Sequence, residues 1–194
     1  MCDDLVRFMK KKTSLTNTEI MEIIVHMTVQ TFEKGTILLR QGEISSKCYF
    51  VLIGCVRQYS CTEDGTENTF NFFTEEQAVV MFKSYKHRDP SEYFLSCVET
   101  STLLVGDLDS EEEMYSEFPK LKDITRLILE SNLGEAQDEH ALFVSSTPEE
   151  RYLRILEKRP DLIKRVQQHQ LASYLGITPE SLSRIKKRLS RDYN

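Results

Sequence analysis

Gln167-Gln168-His169-Gln170-Leu171-Ala172-Ser173-Tyr174-Leu175-Gly176-Ile177-Thr178-Pro179-Glu180-Ser181-Leu182-Ser183-Arg184-Ile185-Lys186-Lys187-Arg188 is the stretch that decides the fold. A helix-turn-helix joins two helices at about 90–120° through a tight turn that often contains glycine. Gly176 supplies the left-handed backbone such a turn asks for, and Ala172 is small where the second helix must approach the first. Leu171, Leu175, Ile177, Leu182 and Ile185 fall at spacings that turn inward from both helices. Thr178 can cap the second helix, with Pro179 in its first position and Ser181 three residues after the cap. An ordinary helical hairpin shares this core pattern but needs no basic face. Residues 181–191 carry Arg184, Lys186, Lys187, Arg188 and Arg191 and no acid.

The outward residues of the second helix are Glu180, Ser183, Arg184, Lys187 and Arg188. The N-terminal part of a recognition helix meets base edges in the major groove, and its later basic residues meet the backbone. Arg184 can bond guanine O6 and N7 with both arms, Glu180 can accept from cytosine N4, and Ser183 suits either kind of base. Lys186, Lys187, Arg188 and Arg191 suit phosphates, which position a protein without reading sequence. Gln168, His169, Thr178 and Ser181 complete the expected contact surface with double-stranded DNA.

Outside this motif the charge reverses. The 194 residues hold 25 Lys and Arg against 31 Asp and Glu; from Glu149 onward the count is 11 against 6, which leaves 14 against 25 before it. An acidic body with a basic C-terminal module predicts two units, only the second of which tolerates a polyanion. Thr147, Pro148 and Glu150 form a helix start with a capping box, and mark the boundary. Upstream, residues 119 to about 144 read as one long helix of about 25 residues, or roughly 37 Å. Its stripe is Leu121, Ile124, Leu127 and Ile128, expected to pack on the sheet or on a second copy of itself. Glu111-Glu112-Glu113 is expected as a solvated face leading into that helix.

Between residues 28 and 107 short β-branched and aromatic runs alternate with turn signals such as Glu33-Lys34-Gly35, Gln41-Gly42-Glu43 and Asp64-Gly65. Tyr49-Phe50-Val51-Leu52-Ile53 and Cys55-Val56-Arg57-Gln58-Tyr59 flank Gly54, and further strands are expected at residues 69–73 and 101–105. Strands at this spacing predict an antiparallel barrel or sandwich. Residues 13–28 predict a helix capped by Thr16 or Asn17. The expected fold class is α+β: an N-terminal antiparallel β-roll over residues 1–116, a long helix over 117–146 and a helix-turn-helix domain over 147–194. With no apolar run of 18 residues, and acids where a signal peptide needs bases, the expected place is the cytoplasm.

This order of roll, long helix and helix-turn-helix resembles the Crp/Fnr superfamily of bacterial transcription regulators over nearly the whole chain. Glu180-Ser181-Leu182-Ser183-Arg184 resembles the E-x-x-S-R recognition pattern of its FNR-like branch. Lys34-Gly35-x-x-Leu38-x-x-Gln41-Gly42-Glu43, followed by Tyr49-Phe50-Val51-Leu52-x-Gly54-x-Val56-Arg57, resembles the start of the cyclic-nucleotide-binding roll. The resemblance implies a homodimer joined through the long helix, an effector held in the roll, a palindromic operator and RNA polymerase as a partner. Two departures follow. The family's cyclic-AMP binders use a Gly-Glu segment and a downstream arginine, where this chain has Phe72-Phe73-Thr74-Glu75-Glu76-Gln77 and Pro90-Ser91-Glu92-Tyr93. Without the arginine, and with Glu92 near its place, a cyclic phosphate loses charge-assisted bonds and meets repulsion. The effector-pocket candidates are therefore Phe72, Phe73, Glu75, Lys83, Ser91, Glu92 and Tyr93, with Lys86 and Arg88 nearby to serve a different anion. The second departure is at Asn194, where little chain remains for the β-wing that often follows the recognition helix.

Other chemistries find little support. Cys2 is the sole N-terminal cysteine, against an iron–sulfur site; His26, His87, His140 and His169 are dispersed; Cys48, Cys55, Cys61 and Cys97 read as reduced thiols in or beside strands. No nucleophile–base order, phosphate loop or metal motif is present, so an enzyme is not expected, and no cofactor can be named. The competing reading is a ligand sensor or interaction module that keeps the helix-turn-helix only for packing.

Overall fold

The computed structural model describes residues 3–13 and 15–192; Cys2 and Asn194 lie outside the described residues. Two helices open the chain, α1 (Asp3–Lys12) and α2 (Asn17–Val25). The strands are β1 (Thr28–Phe32), β2 (Ile37–Leu39), β3 (Lys47–Ile53), β4 (Val56–Cys61), β5 (Glu67–Phe73), β6 (Ala78–Val79), β7 (Phe94–Cys97) and β8 (Ser101–Asp107). They form two antiparallel four-stranded sheets, ordered β1-β8-β3-β6 and β2-β7-β4-β5. A short helix, α3 (Phe82–His87), lies between β6 and β7. After the roll come α4 (Leu108–Glu117), the long α5 (Pro119–Ser145), and a C-terminal group of α6 (Pro148–Lys158), α7 (Leu162–Arg165), α8 (Gln168–Tyr174) and α9 (Pro179–Asp192).

Strand β3 explains why its sequence is apolar without alternation. Tyr49 and Val51 turn into the inter-sheet core with Val56, Leu95 and Leu103. Phe50 and Leu52 turn outward and are covered by Phe8, Ile20, Ile23, Leu121 and Ile124 of α1, α2 and α5. A strand buried on both faces carries apolar side chains at odd and even positions alike. Gly54 links β3 to β4 at φ +112°, and a Cβ there would sit 2.3 Å from the Ser101 hydroxyl. No other residue fits that crossing.

Several expectations shift. The helix expected over 13–28 is only α2; Thr13 belongs to the end of α1, where its hydroxyl donates to the Met9 carbonyl, and Thr28 opens β1. Thr16 is the cap, with Glu19 returning a bond to its backbone. The Lys120 ammonium, then Thr16, holds the Glu19 carboxyl down to about 2. The acidic run lies inside α4, where Glu112 and Glu113 are exposed; the Glu111 side chain lies outside the described set. The break before α5 falls at Phe118, φ −122° and ψ 77°, because the following proline disfavours helical backbone there. A second break at Ser146 precedes the Thr147–Glu150 capping box. The hydrophobic core, however, is continuous across that break. The cluster of Tyr152, Ile155, Leu162, Leu171 and Leu182 also takes in Cys55, Phe72 and Val98 of the roll.

Candidate nucleic-acid interface and ligand cavity

The turn between α8 and α9 is built as its residues dictate. Gly176 stands at φ +72°, its amide donates to the Ser173 carbonyl at 3.0 Å, and the Ile177 amide reaches the Ala172 carbonyl at 3.0 Å. Ala172 and Leu182 are wholly buried between the two helices, with Leu171, Leu175 and Ile185 beside them. The Thr178 hydroxyl accepts from the Ser181 amide at 3.3 Å and so caps α9. Arg151 of α6 ties the turn down: its Nη1 donates to the Leu175 carbonyl at 2.8 Å, and its guanidinium lies 3.7 Å from the centre of the Phe143 ring. Sequence reasoning missed Arg151, whose contacts are all remote in sequence apart from Ser146.

On the outer side of α9, Glu180, Ser183, Arg184, Lys187 and Arg188 are exposed, as are Gln168, His169 and Thr178; Ser181 is half-buried. The candidate DNA-contact residues thus form one surface. Gln168 stands across the two helices, donating to the Ser183 hydroxyl at 3.2 Å and accepting from Lys186 at 3.2 Å. Arg184 donates to the Ser181 hydroxyl at 3.1 Å. Bonds from its own amide and from the Thr178 hydroxyl hold the Glu180 carboxyl below its ordinary range, so it stays an acceptor. Arg188 differs from expectation in one respect: its guanidinium pairs with Glu149 at the start of α6.

The other face of the C-terminal helices is docked on the roll. Arg165 reaches Glu75 through Nη1 at 2.9 Å and Nη2 at 2.8 Å, and Glu99 through Nε at 2.8 Å. Arg159 donates to the Phe72 carbonyl at 2.6 Å. Ser173 of α8 completes the free edge of β5, accepting from the Thr69 amide at 2.9 Å and donating to the Glu67 carbonyl at 3.1 Å. Burial pushes the Glu75 carboxyl up, but the Arg165 and Gly54 donors outweigh it and leave it below its ordinary value. The pairing with Glu75 raises the Arg165 guanidinium further. Across from Phe72 on β4, Arg57 is only 2% exposed; it bonds Thr69 and Glu67, stacks over Tyr59 at 4.2 Å, and keeps one buried nitrogen without a partner among the described residues.

This seam corrects two pocket assignments. Phe72 is fully buried against the C-terminal helices, with its ring edge-on to Tyr174 at 5.4 Å, and Glu75 is committed to Arg165. Both belong to the outer face of β5 or the turn after it, whereas Phe73 faces inward. Phe73, Lys83, Ser91, Glu92 and Tyr93 do line a cavity of about 500 Å³ between the roll and α5. Lys83 is paired with Glu92 at 3.0 Å, and Ser91 is buried with its hydroxyl satisfied by the Tyr93 backbone. Lys86 lies over the Tyr85 ring at 5.2 Å, and Arg88 ends α3 at φ +59°; neither lines the cavity.

The stripe expected on the long helix also divides. Leu121 and Ile124 are buried in the chain's own core, and Ile128 packs against the same cluster, so a second copy is not what covers them. Leu127 is 53% exposed and stays on the open side. Cys55, Cys61 and Cys97 form no disulfide, and burial pushes Cys55 up to about 12 and Cys97 up to about 11, which disfavours the reactive thiolate. Among the described residues no cluster of His, Cys, Asp and Glu is arranged to hold a metal, and no helix is long and apolar enough to cross a membrane.

A family model described as cyclic nucleotide-binding domain matches residues 29–117, which is the roll and α4. The anaerobic regulatory protein of Haemophilus influenzae is 22% identical over 170 residues, covering 82% of this chain and 65% of that protein. The chain therefore spans about two thirds of that relative's length. The nitrogen fixation regulation protein FixK of Rhizobium meliloti is 25% identical over 171 residues, covering 83% of this chain and 74% of that protein. Among solved structures, the c-di-GMP responsive regulator CLP of Xanthomonas campestris superposes with a TM-score of 0.70 at 18% identity, covering 91% of this chain and 93% of that one. FixK2 of Bradyrhizobium japonicum gives 0.70 at 17% identity, covering 86% and 85%.

Proposed function

We propose that the chain is a homodimeric transcription regulator of the Crp/Fnr superfamily reading a palindromic operator, a reading supported by its match to the cyclic nucleotide-binding domain and its similarity to the two regulators. The observation that carries the reading is the exposed face of α9, on which Glu180, Ser183 and Arg184 precede Lys187 on one uncovered surface. Arg184 serves as the guanine reader, Glu180 and Ser183 adjoin it, and Lys187 meets phosphate. Arg188 turns to phosphate by exchanging its Glu149 partner for one of like charge. The protein works at the chromosome in the cytoplasm, with RNA polymerase as its further partner, and the cavity between roll and α5 holds the effector.

The dimer forms through the open side of α5. Leu127, Ser131, Gly134, Asp138 and Ala141 are exposed and spaced four, three, four and three, the repeat of a two-helix seam. Nothing stands within 4 Å of where a Cβ on Gly134 would be, so a second helix can approach closely. Two recognition helices then lie about 34 Å apart, one turn of DNA.

Fluorescence anisotropy with DNA from upstream of the chain's own gene tests the reading. Saturable binding to one palindromic segment, at least a hundredfold tighter than to a shuffled duplex at the same salt, is expected. Equal affinity for both overturns it. Leu127→Glu should sediment as a monomer with an unchanged melting temperature and lose the palindrome, whereas a wild-type chain that is monomeric at micromolar concentration removes the dimer.

A further inference from the structure

We propose that the cavity between the roll and α5 takes an uncharged or cationic ligand with a planar apolar body, and disfavours anions. The proposal rests on the reading of this cavity as the effector site, and adds its chemistry. Its walls are unequal in charge. Lys83 is the one basic residue among those lining it, and Glu92 already neutralises that ammonium at 3.0 Å. Glu135 and Glu139 of α5 stand on the opposite wall with no cation among the lining residues to balance them. An anion entering here loses water and meets the Glu135 and Glu139 carboxylates, whose neighbours Arg154, Lys158 and Arg159 line the adjoining cleft and not this cavity, whereas a cation gains from both. No glycine lines the cavity, so no stretch of bare backbone is offered to an anion's oxygens.

The remaining polar groups suit a neutral heteroatom pattern. Four carboxamides line the space: Gln58, Asn71, Gln77 and Asn132. Each is half committed to protein. Asn71 Oδ1 accepts from the Phe72 amide at 2.8 Å, and Gln77 Oε1 accepts from the Thr74 amide at 2.8 Å. Asn132 Nδ2 donates to the Ala78 carbonyl at 3.5 Å, and Gln58 Nε2 points to the Met81 sulfur at 3.7 Å. These anchors fix the amide orientations and leave two NH₂ donors and two carbonyl acceptors for a ligand. Phe73, Phe82 and Tyr93 supply flat apolar surface between them, and Phe82 is 51% exposed, an uncovered aromatic at the wall. A volume of about 500 Å³ accommodates a ligand of one or two fused rings.

The test uses one ring carrying three charges: indole-3-acetate, indole-3-acetamide and tryptamine, titrated into the full chain and followed by ligand-detected NMR. The amide and the amine should bind at least tenfold more tightly than the carboxylate. Glu92→Gln, which frees Lys83 and removes a carboxylate, should narrow that gap by at least threefold. Ala136→Trp lies on an exposed turn of the α5 wall and should abolish binding of all three without changing the melting temperature. Carboxylate binding equal to or tighter than the amide, no binding of any of the three at millimolar concentration, or binding that survives Ala136→Trp overturns the proposal. DNA binding of the same samples without ligand is measured alongside. Its loss counts against the regulator reading and leaves the ranking of the three ligands intact.

Discussion

The C-terminal helices carry arginine and lysine on two opposite sides, and the two sides treat charge differently. At the seam, Arg165 lies between two carboxylates and Arg159 is bound to a backbone carbonyl, while on the roll's side Arg57 is sealed across from Phe72. On the outer side of α9, Arg184 and Lys187 are exposed, with no carboxylate among the described residues bonded to either. A cation enclosed with its counterion has its electrostatic work done inside the fold, while a cation left in solvent keeps its attraction for an outside polyanion. Seam residues should therefore move stability, and α9 residues should move DNA affinity, with little crossing between the two.

Arg57 should give the largest effect. Arg57→Ala removes a sealed stem and its bonds to Thr69 and Glu67, and should cost about 2–4 kcal/mol of stability by urea unfolding. Arg57→Met keeps the packing and also removes the nitrogen that has no partner, so it should lose less than half as much. Equal losses for the two would mean that charge, not packing, holds this part of the seam. Next comes the open side: Arg184→Ala should weaken operator binding by about 1–3 kcal/mol and relax preference at one base pair per half-site, with the melting temperature unchanged. A uniform loss on every sequence would remove base readout by Arg184.

How much of this contrast was legible in the sequence differs between its halves. The α9 surface was legible because its signals are local: Gly176 for the turn, Thr178 for the cap, and a basic run without an acid. The capping boxes at Thr16–Glu19 and Thr147–Glu150 were readable for the same reason. The seam was not. Strand alternation separates two faces of β5 but does not say which is covered, and the resemblance that assigns Phe72 and Glu75 to the cavity carries no sign of the C-terminal helices packed over them. A bulge adds to this: Gln58 pairs with Asn71 and Tyr59 with Thr69, so Phe70 is left over and stands exposed beside Tyr93. The long helix shows the same limit, since one apolar stripe serves the chain's own core at Leu121 and Ile124 and leaves Leu127 outside. Helix α1 carries a signal of its own, Leu5, Phe8 and Met9 at helical spacing, and all three are buried.

Arg165 tests the seam through pH. Because the Glu75 side chain is 42% exposed, Arg165→Ala should cost only about 1 kcal/mol once solvent screening is allowed for. A carboxylate held below its ordinary value of 4.5 in the folded state adds stability that is fully present above that value and is lost as pH falls through the lowered one. The difference between wild type and Arg165→Ala should therefore be constant near neutrality and shrink below about pH 4.5. A difference that persists unchanged at pH 3 would assign the effect to packing.

Lys187 should give the smallest change and the most diagnostic one. A lysine that only neutralises a phosphate releases about one counterion, so Lys187→Ala should lower the slope of log affinity against log salt by about one, with a loss under about tenfold at physiological salt. Because phosphates carry no sequence, that loss should be the same on the operator and on a shuffled duplex, and stability should not move. Measured beside Arg184→Ala across a salt series, it separates two cations three residues apart on one helix. Arg184 should alter which sequence is preferred, Lys187 only how strongly any duplex is held. If Lys187→Ala instead destabilised the fold, the open side of α9 would be sharing the seam's kind of pairing, and the division of charge between the two sides would fail.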